Sequence, residues 1–207
     1  MRPDTVLAFD TSAAFCAAAL LSGDKVTLKI EAMDKGQAER LLPLLEELLA
    51  ETGTAWADVT ALAVGTGPGN FTGVRIAVAA ARGLALGLGI PVQGVTRLEA
   101  VAYGLPRSLT VIEDARRGEV YVQSFFADGP SPARIARADA IGDTEPQTTG
   151  SAAQGLPEAM PLVEAIARIA ASRPGVQPRP APFYLRGADA APPSDPPPTI
   201  LPDPVGA

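Results

Sequence analysis

No histidine occurs anywhere in the 207 residues. That absence removes the commonest general base near neutral pH and the commonest zinc ligand. A Ser–His or Cys–His relay is excluded, and so is any His-x-x-x-His metal pair. Cysteine occurs once, as Cys16, so neither an intrachain disulfide nor a cysteine metal cluster can form. Its place in the apolar run Ala13–Leu21 reads as a buried structural thiol. A basic excess is also missing: 17 Lys and Arg face 23 Asp and Glu, giving a net charge of −6. Nucleic acid as the sole direct partner is therefore disfavoured, although a local basic patch survives this argument. The longest apolar run, Ile76–Ile90, is interrupted by Arg82 and is too short to span a bilayer, so no membrane partner is expected. Asp4 and Asp10 break the first apolar stretch, so no signal peptide is expected and the cytoplasm is the default.

What is present is a chain that buries a great deal, with 47% hydrophobic residues against 19% charged ones. That suffices for one good core or two small lobes. The most informative stretch is Gly65-Thr66-Gly67-Pro68-Gly69-Asn70-Phe71-Thr72-Gly73-Val74-Arg75. It follows the apolar run Leu62-Ala63-Val64 and leads into a long helical pattern from about Gly73. A strand, a glycine-rich turn and a helix N-terminus together present backbone N–H groups to an anion. Neither standard phosphate fingerprint fits, because Val74 and Arg75 stand where a P-loop needs Lys and Ser or Thr, and Asn70 stands where the third glycine of a dinucleotide loop belongs.

Around this loop the pattern reads strand-strand-strand-helix-strand-helix-strand. The strands are Val6–Asp10, Phe15–Leu21, Val26–Met33 and Ala61–Val64, with a short one at 91–95. The helices are Gln37–Thr52, with leucines at helical spacing and Gly53 as its stop, and about Gly73–Leu88. Thr96 with Glu99 reads as a capping box for a helix Arg97–Tyr103. A second unit begins with strands Leu109–Glu113 and Glu119–Phe126 around a charged turn, continues weakly through Ala133–Ala138, and reaches a helix near Met160–Ala171. These patterns divide the chain into residues 1–104, a shorter unit 105–189, and a proline-rich tail 190–207 expected to be extended or disordered.

Each chemical candidate has a plain alternative. Asp10 with Thr11 and Ser12, at the end of the first strand, either holds a magnesium–phosphate group or closes a turn. The glycine loop either contacts a ligand or lets a helix pack closely on a sheet. On the following helix Ala79, Gly83 and Gly87 recur every four residues, and Arg75 and Arg82 lie on one side. Such a face suits another helix, either from this chain or from a partner. The turn Asp114-Ala115-Arg116-Arg117-Gly118-Glu119 is either a solvated charge cluster or a cation pair facing phosphate.

The segments VLAFDTSAAFCAAAL, AERLLPLLEELL, ALAVGTGPGNFTGVRIAVAAARGLALGLGIPVQGVTRLEA, DARRGEVY and PFYLR fall in this order, and together they resemble the bacterial TsaB proteins over nearly the whole chain. Gln37, where relatives commonly have histidine, Asn70, where serine is frequent, and Glu113, where an apolar residue is usual, depart from that pattern. The resemblance implies an α/β fold of the actin-like ATPase and ribonuclease-H-like type, in two lobes with the second abbreviated. It also implies a non-catalytic scaffold in the machinery that makes threonylcarbamoyladenosine on tRNA. Its partners would be a catalytic transferase, which carries a histidine metal site, and a small ATPase, with tRNA reached through the complex. Apart from the resemblance, the small-residue face of the second helix also suits a homodimer of the chain when alone, since an exposed patch needs covering. No catalytic residue, metal or cofactor is expected on the chain itself, with ATP or ADP only at the complex interface. On this sequence the expected pairing face is Leu41, Leu44, Leu48, Arg75, Ala79, Arg82 and Gly83, and a vestigial nucleotide site would comprise Asp10, Thr11, Gly67, Gly69 and Thr72. The competing reading is a small nucleotide-dependent ATPase or phosphotransferase using Asp10 and the glycine loop.

Overall fold

In a computed structural model the structure describes residues 5–141, 147–173, 175 and 177–186. The tail expected at 190–207 lies outside the described residues. The first sheet contains β1 (Thr5–Asp10), β2 (Phe15–Ser22), β3 (Lys25–Ala32), β4 (Ala61–Gly65) and β5 (Val92–Val95), in the order β3-β2-β1-β4-β5. The first three strands form successive antiparallel hairpins, while β4 runs parallel to β1 and β5 parallel to β4. This is the ribonuclease-H-like order of an actin-like lobe. β1 and β4 are buried on both faces, which is why Val6-Leu7-Ala8-Phe9 and Ala61-Leu62-Ala63-Val64 read as continuous apolar runs.

Helices cover both faces. α1 (Gln37–Thr52) and α2 (Phe71–Leu88) pack on one face, where Leu7, Phe9, Leu62 and Val64 meet Leu41, Leu44, Leu48, Val74 and Ala77. α1 ends at Gly53 in the left-handed conformation (φ 65°), as its sequence predicts. A surface ion network ties it to β3, with Arg40 bonding Glu31 and Glu47, and Lys29 bonding Glu47 and Glu51. These cations hold the Glu47 carboxyl down to about 2. α2 begins two residues before the expected Gly73, because Asn70 caps it by accepting the Gly73 N–H at 3.0 Å. Among the described residues it alone has the length and composition to cross a membrane, yet Val74, Ala77, Val78, Ala81 and Ala85 are buried against the sheet.

The second sheet contains β6 (Leu109–Asp114), β7 (Glu119–Phe126), β8 (Gly129–Pro130), β9 (Arg134–Arg137) and β10 (Thr148–Thr149), with β10-β6-β7-β8 as its path and β9 also paired to β7. α3 (Arg97–Ala102) joins the sheets, inserting Leu98, Val101 and Ala102 among Leu109, Val111 and Phe125. Thr96 caps α3 as expected, accepting the Glu99 N–H at 3.2 Å. Glu99 does not complete the box, because its carboxylate bonds Arg173 instead.

After the second sheet the chain returns to the first. α4 (Leu162–Ser172) lays Val163, Ile166, Ile169 and Ala170 on the face opposite α1 and α2, against Val6, Ala8, Ala17, Ala19 and Ala63. The described residues beyond 104 thus contribute strands to the second sheet and a helix that packs on the first. The β6–β7 turn has an unusual backbone. Arg116 (φ 63°) and Arg117 (φ 55°) are the non-glycine residues of positive φ among the described residues. That conformation costs an ordinary L-residue about 1–2 kcal/mol.

Candidate functional site

The carboxyl ends of β1 and β4 meet at the glycine loop, the position where open α/β sheets place ligands. Asp10 is 1% exposed and its carboxylate is satisfied locally, since Ser12 donates its N–H to Oδ1 at 2.7 Å and its hydroxyl to Oδ2 at 2.9 Å. Burial raises the Asp10 carboxyl above its ordinary 3.8, against the Ser12 bonds and the charge of Arg97 that pull it down.

The glycines bring two backbones together. A Cβ on Gly65 would lie 2.6 Å from Asp10 Cγ, one on Gly69 2.5 Å from the Ser12 carbonyl oxygen, and one on Gly73 1.9 Å from that of Thr11. The contact is fastened by Thr11 Oγ1 donating to the Gly73 carbonyl at 2.7 Å and by the Asn70 N–H donating to the Ser12 carbonyl at 2.6 Å. Gly73 therefore has an architectural reason; of the residues expected in a vestigial site, Gly69 packs on the Ser12 backbone beside Asp10 and Thr11, while Gly67 meets Val74 and Phe183. Thr72 stands apart, exposed on the first turn of α2.

Two further elements close this region. Arg97, at the start of α3, bonds Glu113 at the end of β6 and feels the charge of Asp10. Glu113 is 3% exposed and also accepts the Ser151 N–H at 2.8 Å, while Arg97 Nη1 is buried without a hydrogen-bond partner. Glu158 sits near this group, its carboxyl raised by partial burial and by the Glu113 charge.

Residues 180–186 then run over the loop as a strap. The Phe183 N–H donates to the Thr66 carbonyl at 2.8 Å, Arg82 Nε to the Pro180 carbonyl at 2.7 Å, and Arg75 Nε to the Tyr184 hydroxyl at 2.8 Å. Arg75 lies over the Phe71 ring at 3.6 Å, and Phe71 and Tyr184 pair with centroids 5.1 Å apart. Arg186 holds the second lobe through the Ala115 carbonyl and Glu119.

The expected pairing residues separate into three groups. Leu41, Leu44 and Leu48 are at most 1% exposed and fill this chain's own core, so the expectation that they anchor a partner is corrected. Helical spacing cannot tell a stripe that meets the chain's own sheet from one that meets another molecule, and the large apolar side chain that α1 does present is Leu42, 46% exposed. Arg75 and Arg82 hold the strap. Ala79 and Gly83 do face outward, with open space where a Gly83 Cβ would lie, beside Leu86 at 80% exposure. Arg97, Glu113 and the strap escaped the sequence reading. Their available signals were Glu113 at an otherwise apolar position and the PFYLR segment.

The chemistry this arrangement offers is limited. Among the described residues no group of three His, Cys, Asp or Glu side chains is placed to hold a metal ion. Cys16 is buried, and burial lifts its thiol to about 11, far from a nucleophilic thiolate near neutral pH. What remains is a buried carboxylate and a loop whose inner surface meets other parts of the same chain.

The family model described as TsaD, tRNA N6-adenosine threonylcarbamoyltransferase, matches residues 31–186. The tRNA threonylcarbamoyladenosine biosynthesis protein TsaB of Escherichia coli K12 is 40% identical over 129 residues, covering 59% of this chain and 55% of that protein. The chain thus spans about half the length of the TsaB relatives it matches. An uncharacterized protein of Mycobacterium bovis is 36% identical over 206 residues, covering 91% of this chain and 94% of its own. Among solved structures, YeaZ from Pseudomonas aeruginosa superposes with a TM-score of 0.62 at 33% identity, covering 71% of this chain and 75% of that one. The match to the family model over most of the chain, with the glycine loop and its helix inside it, makes this chain a member of the glycoprotease-like TsaD family, on its TsaB (YeaZ-like) side.

Proposed function

We propose that this chain is a non-catalytic scaffold subunit of the complex that adds a threonylcarbamoyl group to the adenosine next to the anticodon in tRNA. The observation that carries this reading is the closure of the ancestral site. Ser12 takes the Asp10 carboxylate, the strap covers Thr66 and Gly67, and Arg97 stands between Asp10 and Glu113. A phosphotransferase of this fold binds ATP between lobes that open and close. Here the junction is pinned by Arg97–Glu113 and Arg186–Glu119, and the loop already contacts its own chain.

The surface available to a partner lies on the outer face of α2, where Ala79 and Gly83 permit close helix approach between Arg75 and Leu86. The partner is the catalytic transferase, with a small ATPase joining the assembly and tRNA reaching it mainly through the transferase. The same face serves a homodimer when the transferase is absent. A helix interface of standard size buries about 1,600 Å² in total.

The test is reconstitution of threonylcarbamoyl transfer to tRNA with and without this chain, alongside Gly83→Leu. Since Gly83 is exposed and nothing lies within 4 Å of its Cβ position, the variant is expected to keep the fold, which its thermal midpoint checks. It is expected to lose co-purification with the transferase and the activation of transfer together. An intact complex in Gly83→Leu, or transfer by this chain alone, refutes the reading. Stoichiometric MgATP binding with turnover, lost in Asp10→Ala, would establish the phosphotransferase instead.

A further inference from the structure

We infer that the docking surface of α2 continues onto the strap, and that its anchor is the stack of Phe71, Arg75 and Tyr184, which receives an acidic helix of the transferase. This rests on the reading of the outer face of α2 as the docking face, and adds to it a second chain segment and the chemistry of the partner. The exposed residues Thr72, Arg75, Ala79, Gly83 and Leu86 follow one another at intervals of three and four, so they form one stripe along α2. At its amino end that stripe meets the strap.

Aromatic residues make up only 5% of the chain, yet two exposed rings touch here, Phe71 from α2 and Tyr184 from the strap. The Arg75 guanidinium serves both, 3.6 Å from the centroid of Phe71 and 5.8 Å from that of Tyr184. Tyrosine and arginine are the side chains that most often dominate binding energy at protein interfaces. These are also fixed in advance, because Arg75 Nε donates to the Tyr184 hydroxyl at 2.8 Å. A long cationic side chain normally gives up rotamer freedom when a partner binds, and here the free chain has already given it up.

Charge describes the partner's side. α2 contains Arg75 and Arg82 and no acidic residue, and residues 177–186 add Arg179 and Arg186, again with none. Arg75 bonds a hydroxyl and Arg82 a carbonyl, both neutral, so the positive charge of each persists. In a chain of net charge −6 this surface is locally basic. A polyanion would leave the exposed apolar side chains of Phe71 and Leu86 uncovered, whereas a helix laid along the stripe covers both and uses the open space over Gly83. The occupant is therefore a helix with small or apolar residues along its seam and a carboxylate level with Arg75. A second copy of α2 has no carboxylate to offer, so pairing between two α2 helices leaves the arginines unmatched and is the weaker contact.

The experiment uses the full chain and the catalytic transferase of the same organism. Nitration of Tyr184 by tetranitromethane, read by mass spectrometry on the unaltered chain, should proceed in the free protein, where the ring is exposed, and fall severalfold in the complex. By titration calorimetry Tyr184→Ala is expected to raise Kd about thirtyfold, and Tyr184→Phe, which keeps the ring, within about fivefold. Phe126→Ala, which removes an exposed ring on β7, should leave Kd unchanged. Arg75→Met should lose most of the salt dependence of Kd. Full nitration of Tyr184 in the complex, a Tyr184→Ala Kd within about twofold of wild type, or an unchanged salt dependence in Arg75→Met would overturn the proposal. So would protection of Tyr184 that tRNA alone, or the chain's own concentration, produces and the transferase does not increase. If Gly83→Leu abolishes pairing while Tyr184 stays open to nitration in the wild-type complex, only the extension onto the strap is refuted; pairing intact in Gly83→Leu removes the docking face and the proposal with it.

Discussion

Replacing Gly73 and Gly83 by alanine, one at a time, subjects two positions of α2 to the same chemical change with opposite expected results. In an exposed helix interior alanine is favoured over glycine by about 1 kcal/mol, through backbone entropy alone. Gly83 has open space around its Cβ position, so Gly83→Ala should gain that amount and raise the thermal midpoint by about 2–4 °C in a chain of this size. At Gly73 the new methyl would lie 1.9 Å from the Thr11 carbonyl oxygen and 2.9 Å from its carbon, and neither atom belongs to a side chain that can rotate away. The helix must withdraw from the β1–β2 turn, which breaks the Thr11–Gly73 and Asn70–Ser12 hydrogen bonds at about 1 kcal/mol each and loosens the packing of Val74 and Ala77. After the helix-propensity gain, a net loss of about 2–4 kcal/mol remains, or a midpoint lowered by about 4–16 °C. Urea and thermal unfolding of the three proteins measure both effects. Equal signs for the two variants, or a neutral Gly73→Ala, would refute the argument that the loop glycines serve backbone contact.

Two more outcomes follow from the buried charges. Because burial lifts the Asp10 carboxyl, the folded chain holds that proton more tightly than the unfolded one; the resulting stability is complete below about pH 3.8 and falls as pH rises through the folded value. Asp10→Asn, which can keep both Ser12 bonds, should therefore be more stable than wild type by a margin that widens from pH 4 to pH 8, and a margin that shrinks over this range would contradict the assignment. Arg97→Met should cost about 3–5 kcal/mol by leaving the Glu113 charge buried and unpaired, whereas Arg97→Met/Glu113→Leu should recover most of it. If urea midpoints of the single and double variants coincide, the ion pair is not what joins the lobes.

Local signals in the sequence were enough for most elements. α1 runs over the residues that its leucine spacing and Gly53 indicate, and the hairpins of β1–β3 and of β6–β7 fall at their turn residues. The glycine loop identified the family. What stayed hidden depends on partners far apart in the chain. Arg82 meets Pro180 across 98 positions, and Arg75 meets Tyr184 across 109. No periodicity encodes such contacts. The misplaced anchors Leu41, Leu44 and Leu48 share that cause, since the stripe they form is equally suited to this chain's sheet and to another molecule. Pattern alone also could not say that α4 would leave the second sheet and cover the first.

That return of α4 has a consequence for synthesis. When the first lobe has left the ribosome, the sheet face carrying Val6, Ala8, Ala17, Ala19 and Ala63 still lacks its cover, because Val163, Ile166 and Ile169 are made roughly 70 residues later. At about 5–20 residues per second that face stays bare for roughly 4–14 s in each nascent chain. The strap arrives later still, so a chain released early would present both an uncovered apolar sheet and an uncovered glycine loop. Nascent chains arrested before residue 160 should therefore bind chaperones that full-length chains escape, and α4 marks the point at which the first sheet has both of its faces covered.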